Sequence, residues 1–353
     1  MSDIKRELEE LRQSLGKIDG DLLSLIDKRA RLARRAGELR GGDPAQLSSI
    51  EGLLDALVAR AGGDMPEASL RAVFRELLAA CQTLELPLTI SVLGPEGGAA
   101  FVAARSRFGA AVAVTAQATP AAVLAEVAGR RADYGLVPLE SKTDGPIQAT
   151  IESLMASDLR IASVVESSAT CHLMNKTGDA STVVRVAATA ADAAREERFL
   201  ASGPTRLLLV DAKSPVAACA LANAEDGVAA LVTEPIGVAA GLKVARRNPG
   251  HEEVRFAVVG GRPSGRTGRD ITALAFSVKD TPGALLDVLR QFSERGINML
   301  TLQSHPEAGD GWNYVFFAEV DGHSTDRSLV TAFEEVKKLT RFFKVLGSYP
   351  ADA

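Results

Sequence analysis

The fold of the C-terminal region is indicated by one stretch, residues 278–306: VKDTPGALLDVLRQFSERGINMLTLQSHP. Its first residues end a strand, and DTPG forms a loop that feeds an amphipathic helix. The segment INMLTLQSHP then has the alternation of a second strand. Strand, loop, helix and strand therefore follow one another without a long connection.

The residues on either side of this stretch complete one supersecondary unit. ITALAFSV (271–278) precedes it as a strand, and WNYVFFAEVDGH (312–323) follows as another. LVTAFEEVKKLT (329–340) has the apolar spacing of a helix, and FKVLGSYP (343–350) that of a last strand. The resulting order, β-α-β-β-α-β, predicts a ferredoxin-like α+β domain over residues 270–353.

Upstream, residues 89–262 have an α/β pattern. Short apolar strands such as YGLVPLE, LRIASVVE, TRLLLVD and VRFAVVG alternate with alanine-rich helical stretches. The Gly-, Pro- and Arg-rich segment GGRPSGRTGRD (260–270) is predicted to be a linker.

The N-terminal region, residues 1–88, is predicted to be helical. Apolar residues recur at 4-3 spacing from Ile4 to Leu39 with no proline, which indicates one long helix over residues 3–40. Such a helix would be about 55 Å long and could not bury its apolar seam within one small domain. It should therefore pair with another long helix, one from a second chain. Two shorter helices are predicted around residues 47–61 and 66–85.

Composition excludes several classes of function. The 353 residues are 46% hydrophobic and 24% charged, a globular balance, and the net charge of −5 argues against nucleic-acid binding. No apolar run is long enough for a membrane span, and the N-terminus resembles no secretory signal. Three widely spaced cysteines, Cys81, Cys171 and Cys219, argue against a disulfide framework or zinc site and suggest a cytoplasmic protein.

Longer motifs carry a resemblance to a known family. Residues 278–306, with WNYVFFAEVDGH and KVLGSYP, resemble the amino-acid-sensing ACT domain attached to prephenate dehydratase. LGPEG (93–97) and YGLVPLESKTDGPIQATIESL (134–154) resemble the prephenate dehydratase domain, which is two-lobed and similar to periplasmic binding proteins. The N-terminal helices resemble an AroQ-type chorismate mutase. In this order the three regions resemble the bifunctional chorismate mutase–prephenate dehydratases of phenylalanine biosynthesis.

The resemblance implies a mutase site in the helical region. Chorismate rearranges without a nucleophile, so the protein must hold a dianion and stabilise charge on the ether oxygen. Arg12, Arg29 and Arg40 match the family's cationic positions, and Glu85 stands where a glutamine hydrogen-bonds the substrate. Because Arg12 and Arg29 would lie about 25 Å apart on one helix, a shared site must take Arg12 from a partner chain. Ser49 and Ile50 replace the family's Arg-Glu pair.

The resemblance also implies a dehydratase site, which must bind two carboxylates and supply a proton to the leaving hydroxyl. The implied catalytic residues are Glu140, Thr143, His172 and Arg255, and the implied substrate-binding residues are Gly94, Glu96 and Ser214. Two readings stay open: His172 could be purely structural, and Ser214 could be an ordinary helix N-cap. The family's Thr-Arg-Phe motif is Val254-Arg255-Phe256 here, and Ser141 stands in place of an asparagine.

In the ACT region, the family binds an amino acid between two paired copies. The implied effector-binding residues are Gly283, Ala284, Leu285, Asn298 and Ser304. The family's Glu-Ser-Arg-Pro is Gln303-Ser304-His305-Pro306 in this chain, so the usual arginine is missing. A purely dimerising ACT pair is the alternative.

Three hypotheses follow from these matches and departures. The first is a prephenate dehydratase, with chorismate mutase activity as a second function, inhibited by phenylalanine. Because Val254 has no hydroxyl, that enzyme would need another donor, such as Thr143 or His172. The second is a prephenate decarboxylase-like enzyme, and the third is a non-enzymatic amino-acid-sensing protein. In every case the expected partners are these small molecules and a second copy of the chain, with no cofactor, metal, nucleic acid or membrane.

Overall fold

The computed structural model describes residues 2–40, 50–142, 145–203, 207–250, 252–261, 263–306 and 314–351. The chain divides into two compact units, residues 1–88 with 108–113 and residues 89–107 with 114–353. Among the described helices, none is long and apolar enough to cross a membrane.

The N-terminal unit is helical, as predicted. It contains α1 (Ser2–Arg40), α2 (Ile50–Val58) and α3 (Glu67–Glu85). Leu54, Leu78 and Ala79 form its small core. Helices α1 and α3 touch at Gly37, where a Cβ atom would lie 2.0 Å from the backbone oxygen of Glu85. Glycine is therefore required for this close approach.

The seam of α1 stays exposed in the single chain. Its large apolar residues are between 41% and 74% exposed: Ile4, Leu8, Leu11, Leu15, Ile18, Leu22, Leu23, Leu25, Ile26, Leu32 and Leu39. A continuous apolar stripe of this length marks an interaction surface.

A two-lobed α/β region follows, which confirms the predicted fold class. The first lobe contains β1 (Thr89–Leu93), α4 (Ala99–Phe108), β2 (Ala113–Gln117), α5 (Pro120–Ala128), β3 (Tyr134–Ser141), β4 (Gly145–Pro146), α6 (Gln148–Ala156), β5 (Arg160–Ser168) and β11 (Glu253–Gly260). Its sheet has the order β2-β1-β3-β11-β5, with β4 beside β3. Strand β11 is antiparallel to both β3 and β5, so β1, β3 and β5 run in one direction.

The second lobe is inserted between β5 and β11. It contains β6 (Cys171–Asn175), a 3-10 turn (Ala180–Thr182), β7 (Arg185–Ala188), α7 (Ala190–Arg195), α8 (Glu197–Ala201), β8 (Leu208–Asp211), α9 (Pro215–Ala224), β9 (Val228–Thr233), α10 (Glu234–Ala239) and β10 (Lys243–Arg246). Its sheet has the order β10-β6-β9-β7-β8. Hydroxyl residues begin two of these helices: Thr189 caps α7 and Ser214 caps α9.

The C-terminal region has the predicted β-α-β-β-α-β order. It contains β12 (Asp270–Val278), α11 (Ala284–Ser293), β13 (Met299–Pro306), β14 (Tyr314–Asp321), α12 (Arg327–Leu339) and β15 (Thr340–Pro350). The sheet has the order β13-β14-β12-β15, which leaves β13 at an edge. One face of the sheet packs on α11 and α12 through residues such as Phe276, Phe292 and Phe333.

The other face of the C-terminal sheet shares one hydrophobic core with the first lobe. Phe317, Leu346 and Tyr349 pack in the same cluster as Leu139 and Ile161. At the closest point a Cβ atom on Gly347 would lie 2.2 Å from the backbone oxygen of Ile161. The two sheets therefore form one packed body rather than two domains joined only by a linker.

Lysine 344 adds a polar contact to this interface. From β15, its ammonium group donates to the backbone oxygens of Leu154 (3.2 Å) and Met155 (2.7 Å), and also to that of Ser157. These carbonyls end α6, so Lys344 caps the C-terminus of a helix in the first lobe.

Candidate active site

The predicted dehydratase residues of the first lobe converge on one edge of its sheet. Gly94 and Glu96 follow β1, Glu140 lies at the end of β3, and Arg255 lies at the start of β11. Because β11 is antiparallel to β3, its start and the end of β3 meet at the same edge, in a register that pairs Arg255 with Glu140. Ligands of open α/β sheets bind at this carboxyl edge.

The second lobe presents the corresponding edge of its own sheet. Strands β7 and β8 end at this edge and are followed by Thr189 and Ser214. Strand β6 begins at the same edge with Cys171 and His172. The two lobes meet at Gly97, where a Cβ atom would lie 2.9 Å from Cγ2 of Val216 in α9. The two lobes therefore meet beside the carboxyl edges of their sheets.

Ser214 has a structural role at this edge of the second lobe. Its Oγ accepts a hydrogen bond from the N–H of Ala217 at 3.1 Å, which is the N-cap of α9. The capping role raised from the sequence is therefore present, and substrate binding by Ser214 stays a prediction. Glu96 is exposed, and Gly94 donates its N–H to the oxygen of Gln117 at 2.8 Å with a φ of 100°.

His172 lies at the hinge between the lobes. Its Nδ1 accepts a hydrogen bond from the N–H of Asn248 at 3.1 Å. Burial and the nearby Arg247 lower the pKa of His172 below its ordinary value. Because Nδ1 accepts from the backbone, Nε2 is the nitrogen that can donate a hydrogen bond from the neutral imidazole.

Arg255 is engaged by two carboxylates. Its Nη1 donates to Oε2 of Glu140 at 3.0 Å, and its two Nη atoms donate to the carboxylate of Glu319 at 3.1 and 3.0 Å. Burial disfavours the charge, but the hydrogen bonds and charge of Glu319 outweigh it and raise the pKa of Arg255. Glu319, on β14, is 2% exposed and also accepts from Thr301 (3.2 Å) and from the hydroxyl of Tyr349.

This network joins the first lobe to the C-terminal sheet. Glu140 uses one oxygen for Arg255 and the other for Nε2 of Gln303 on β13, at 3.1 Å. The structure therefore places Glu140 and Arg255 at the interface with the C-terminal sheet, with their polar groups directed to it. A direct contact of either residue with substrate stays a prediction. Sequence reasoning missed Glu319, although an acidic residue on the apolar strand YVFFAEVD is a signal for a buried ion pair.

Val254 points to the opposite face from Arg255, because successive residues of a strand alternate. It is buried and pairs across the sheet with Ser141 on β3 and Ser167 on β5. The hydroxyl of Ser141 donates to Oε1 of Glu252 at 2.6 Å. Thr143, another predicted catalytic residue, lies outside the described residues.

The predicted effector residues lie at the two ends of α11. Gly283, with a φ of 86°, begins the helix, and together with Ala284 and Leu285 it lines a cavity of about 380 Å³. Asn298 lines a second cavity of about 630 Å³ beyond the other end. Ser304 is exposed on β13 and lines neither of these cavities. One chain therefore does not bring the five residues together.

The predicted mutase residues are similarly divided. Arg12 is largely exposed near the start of α1 and lies 3.8 Å from Glu9. Nη1 of Arg29 is buried and has no hydrogen-bond partner among the residues that the structure describes. Arg40 ends α1, one turn beyond the contact of Gly37 with Glu85. Arg29, Arg40 and Glu85 thus belong to one end of the helical unit, whereas Arg12 belongs to the other. Ser49 lies outside the described residues.

A metal site is not formed by the described part of the chain, where no three His, Cys, Asp or Glu side chains are arranged to hold an ion.

Family models match all three regions in order. The model for chorismate mutase type II matches residues 11–86, that for prephenate dehydratase residues 90–264, and that for the ACT domain residues 272–338.

Curated relatives and a solved structure are similar to all or part of this chain. The bifunctional chorismate mutase/prephenate dehydratase of Aquifex aeolicus is 32% identical, over 98% of this chain and 98% of its own. The prephenate dehydratase of Mycobacterium tuberculosis is 33% identical, over 66% of this chain and 75% of its own. The crystal structure of the Arthrobacter aurescens prephenate dehydratase in complex with L-Phe is 27% identical with a TM-score of 0.62, covering 74% of this chain and 90% of that chain.

Proposed function

The chain belongs to the family of bifunctional chorismate mutase/prephenate dehydratases, and from that membership we propose that it converts prephenate to phenylpyruvate, carbon dioxide and water. The observation that supports the proposal is the meeting of the two lobes beside the carboxyl edges of their sheets, where polar residues of both lobes follow the strands. The dehydratase activity is assigned to residues 89–262.

The chemistry required at this site is modest, because aromatisation of the ring drives the loss of carbon dioxide and hydroxyl. The protein must orient a dianion and donate a proton to the leaving oxygen. In this proposal Gly94, Glu96, His172 and Ser214 contact the substrate, together with Thr143, which follows β3 in the sequence. His172 contributes as a neutral donor through Nε2, since its Nδ1 already accepts from the backbone.

Glu140 and Arg255 hold the same sheet edge of the first lobe against the C-terminal sheet. Their hydrogen bonds to Gln303 and Glu319 fix the end of β3, from which the predicted catalytic turn begins. We therefore assign them as positioning residues, which link the dehydratase edge to the C-terminal sheet.

The helical unit, residues 1–88, is proposed to act as a chorismate mutase in a homodimer. The exposed apolar seam of α1 is complementary to a second copy of itself, and pairing would bury it. Pairing would also bring Arg12 of one copy to Arg29, Arg40 and Glu85 of the other. Nη1 of Arg29 is buried and has no hydrogen-bond partner within the described part of the chain, which suits a carboxylate ligand.

The C-terminal region, residues 270–353, is proposed to bind L-phenylalanine and inhibit the dehydratase. Gly283, Ala284 and Leu285 of one copy would face Asn298 of the other, with Ser304 on the edge strand between them. The L-Phe complex of the Arthrobacter relative supports this ligand. A cytoplasmic location fits the three cysteines, all of which are free and buried thiols.

One observation favours a second candidate function. Val254 has no hydroxyl at the position of the family's threonine, and a decarboxylase that retains the ring hydroxyl would not need one. The products of prephenate turnover separate the two candidates.

The test is a steady-state assay of purified full-length protein with prephenate, following phenylpyruvate by its absorbance in alkali. Turnover that millimolar L-phenylalanine suppresses is the expected result, and chorismate should also be consumed. Absence of phenylpyruvate at every prephenate concentration would refute the dehydratase proposal.

A further inference from the structure

Strand β13 (Met299–Pro306) has two faces with different surroundings. Successive side chains of a strand point to opposite faces. The inner face is buried or half-buried and consists of Thr301, Gln303 and His305, whereas the outer face is exposed and consists of Leu300, Leu302 and Ser304. One face of the strand is therefore covered, and the other is free to meet a ligand or a second copy of the chain.

The inner side of β13 is bonded to the first lobe at two points. Nε2 of Gln303 donates to Oε1 of Glu140 at 3.1 Å, and Nε2 of Gln148 donates to the backbone oxygen of Pro306 at 3.3 Å. Glu140 lies near the end of β3, and Gln148 begins α6. The two hydrogen bonds thus flank residues 141–147, the predicted catalytic turn, which contains Thr143.

His305 adds a buried contact to the same interface. It is 9% exposed, and the charge of Glu152 on α6 opposes the lowering of its pKa by burial. The imidazole therefore lies beside α6. Because packed side chains leave little free volume, β13 and α6 should move together rather than slide past one another.

The outer face of β13 reaches a cavity that contains a predicted effector residue. Leu302 and Asn298 both line the cavity of about 630 Å³, and Ser304 follows on the same face of the strand. Leu302 precedes Gln303 directly, so their Cα atoms are about 3.8 Å apart. A ligand that displaces the backbone at Leu302 must therefore displace it at Gln303 as well.

The position of β13 in its sheet makes such a displacement inexpensive. It is an edge strand with β14 as its neighbour, and their register shifts between Met299 and Thr301. A bulged edge strand has fewer ladder hydrogen bonds than a strand that is paired on both sides. Strand β13 can therefore move at a lower cost than β12 or β14.

We propose that β13 transmits effector binding from its outer face to the predicted catalytic turn, and that Gln303 is the positioning residue through which it acts on Glu140. This inference rests on the proposed inhibition of the dehydratase by L-phenylalanine and specifies how the inhibition reaches the first lobe. Glu140 holds Arg255 with its other oxygen at 3.0 Å. A shift of Gln303 therefore changes the support of the whole end of β3.

The experiment compares four full-length proteins: the wild type, Gln303→Met, Gln148→Met and Gln291→Met. Methionine keeps the unbranched length of glutamine but cannot make its hydrogen bond. Gln291 is the matched control, because it is a half-buried glutamine of the same region that hydrogen-bonds to Asp287 and Arg295. Phenylpyruvate formation is measured without and with saturating L-phenylalanine, calorimetry gives the Kd of L-phenylalanine, and thermal denaturation establishes that each variant is folded.

Coupling between two sites changes an affinity by about 5–150-fold, so L-phenylalanine should lower the wild-type kcat/KM at least about fivefold. In Gln303→Met this inhibition should fall below about twofold, whereas the Kd of L-phenylalanine should stay within about threefold, since Gln303 lines neither effector cavity. Gln148→Met should weaken the inhibition in the same direction, and Gln291→Met should keep the wild-type value. A merely structural defect would lower kcat/KM equally with and without L-phenylalanine and leave their ratio unchanged.

The results that would overturn the inference are distinguishable. A Gln303→Met protein that is inhibited as strongly as the wild type would remove the coupling role and leave the dehydratase and its inhibition standing. Loss of L-phenylalanine binding in Gln303→Met would make Gln303 part of the effector site instead. If Gln303→Met does not fold, Gln148→Met provides the same test through the other hydrogen bond. A wild-type protein without phenylpyruvate formation, or without inhibition, would remove the proposed function on which the inference rests.

Discussion

The carboxylate of Glu319 is the centre of the contact between the first lobe and the C-terminal sheet, and Glu319→Gln removes its charge without changing its size. Glu319 is 2% exposed and receives two hydrogen bonds from Arg255, one from Thr301 and one from Tyr349. Removing one partner of a buried ion pair costs about 3–5 kcal/mol, because the other charge is left uncompensated. Arg255 retains Glu140 at 3.0 Å, so we expect the lower end, about 3 kcal/mol.

This loss should be visible in thermal denaturation of the full chain. For a body of this size, 1 kcal/mol corresponds to about 2–4 °C, so the midpoint should fall by about 6–12 °C. Glu335→Gln is the matched control, because Glu335 forms an exposed pair with Lys338 and should contribute less than about 1 kcal/mol. If Glu319→Gln melts no earlier than this control, the ion pair does not stabilise the contact and the reasoning fails.

Three further predictions concern other parts of the molecule. Burial lowers the pKa of His172 below its ordinary value, so the unfolded chain binds a proton more readily than the folded one. Stability should therefore fall as the pH drops from about 7 to 5, and His172→Gln should lessen that fall in melting curves. Burial raises the pKa of Cys171 to about 12 and that of Cys219 to about 11, so a thiol reagent at pH 8 should label neither in the native protein and both in denaturant; rapid native labelling would contradict this. Gly347→Ala would force a methyl group against the oxygen of Ile161, at 2.2 Å, and should cost about 3 kcal/mol in urea unfolding; an unchanged midpoint would show that the sheets can separate there at no cost.

Local patterns were sufficient to predict the elements. The apolar seam without proline predicted α1 as one helix, and the structure has it from Ser2 to Arg40. The glycine turn before Ala284 and the alternation after it predicted the C-terminal β-α-β-β-α-β order. These features depend on residues close in sequence, where periodicity and turn chemistry are informative.

The partners of Arg255 could not be predicted in the same way. Alternation along β11 separates the face of Val254 from the face of Arg255, but it does not say which element covers either face. Glu319 reaches Arg255 only because the C-terminal sheet packs on the first lobe through a shared core. The resemblance implies a catalytic role for Arg255, which stays a prediction, and the packing directs its guanidinium to the neighbouring sheet.

The register between strands that lie far apart in the chain also could not be predicted from the sequence. Ser141 and Val254 become neighbours through a pairing of β3 with β11 that shifts between Arg255 and Phe256. A shift of one residue would have placed Ser141 on the other face. The sequence identified Val254 as a departure from the family, but only the strand pairing identified a hydroxyl beside it.

We propose that this chain eliminates both carbon dioxide and water from prephenate although Val254 replaces the family's threonine. The most direct measurement is the mass of the product formed from prephenate by the purified wild-type protein at neutral pH. We expect phenylpyruvate, which has lost both groups. A product that has lost carbon dioxide and kept the ring hydroxyl, or the recovery of unchanged prephenate, would contradict it.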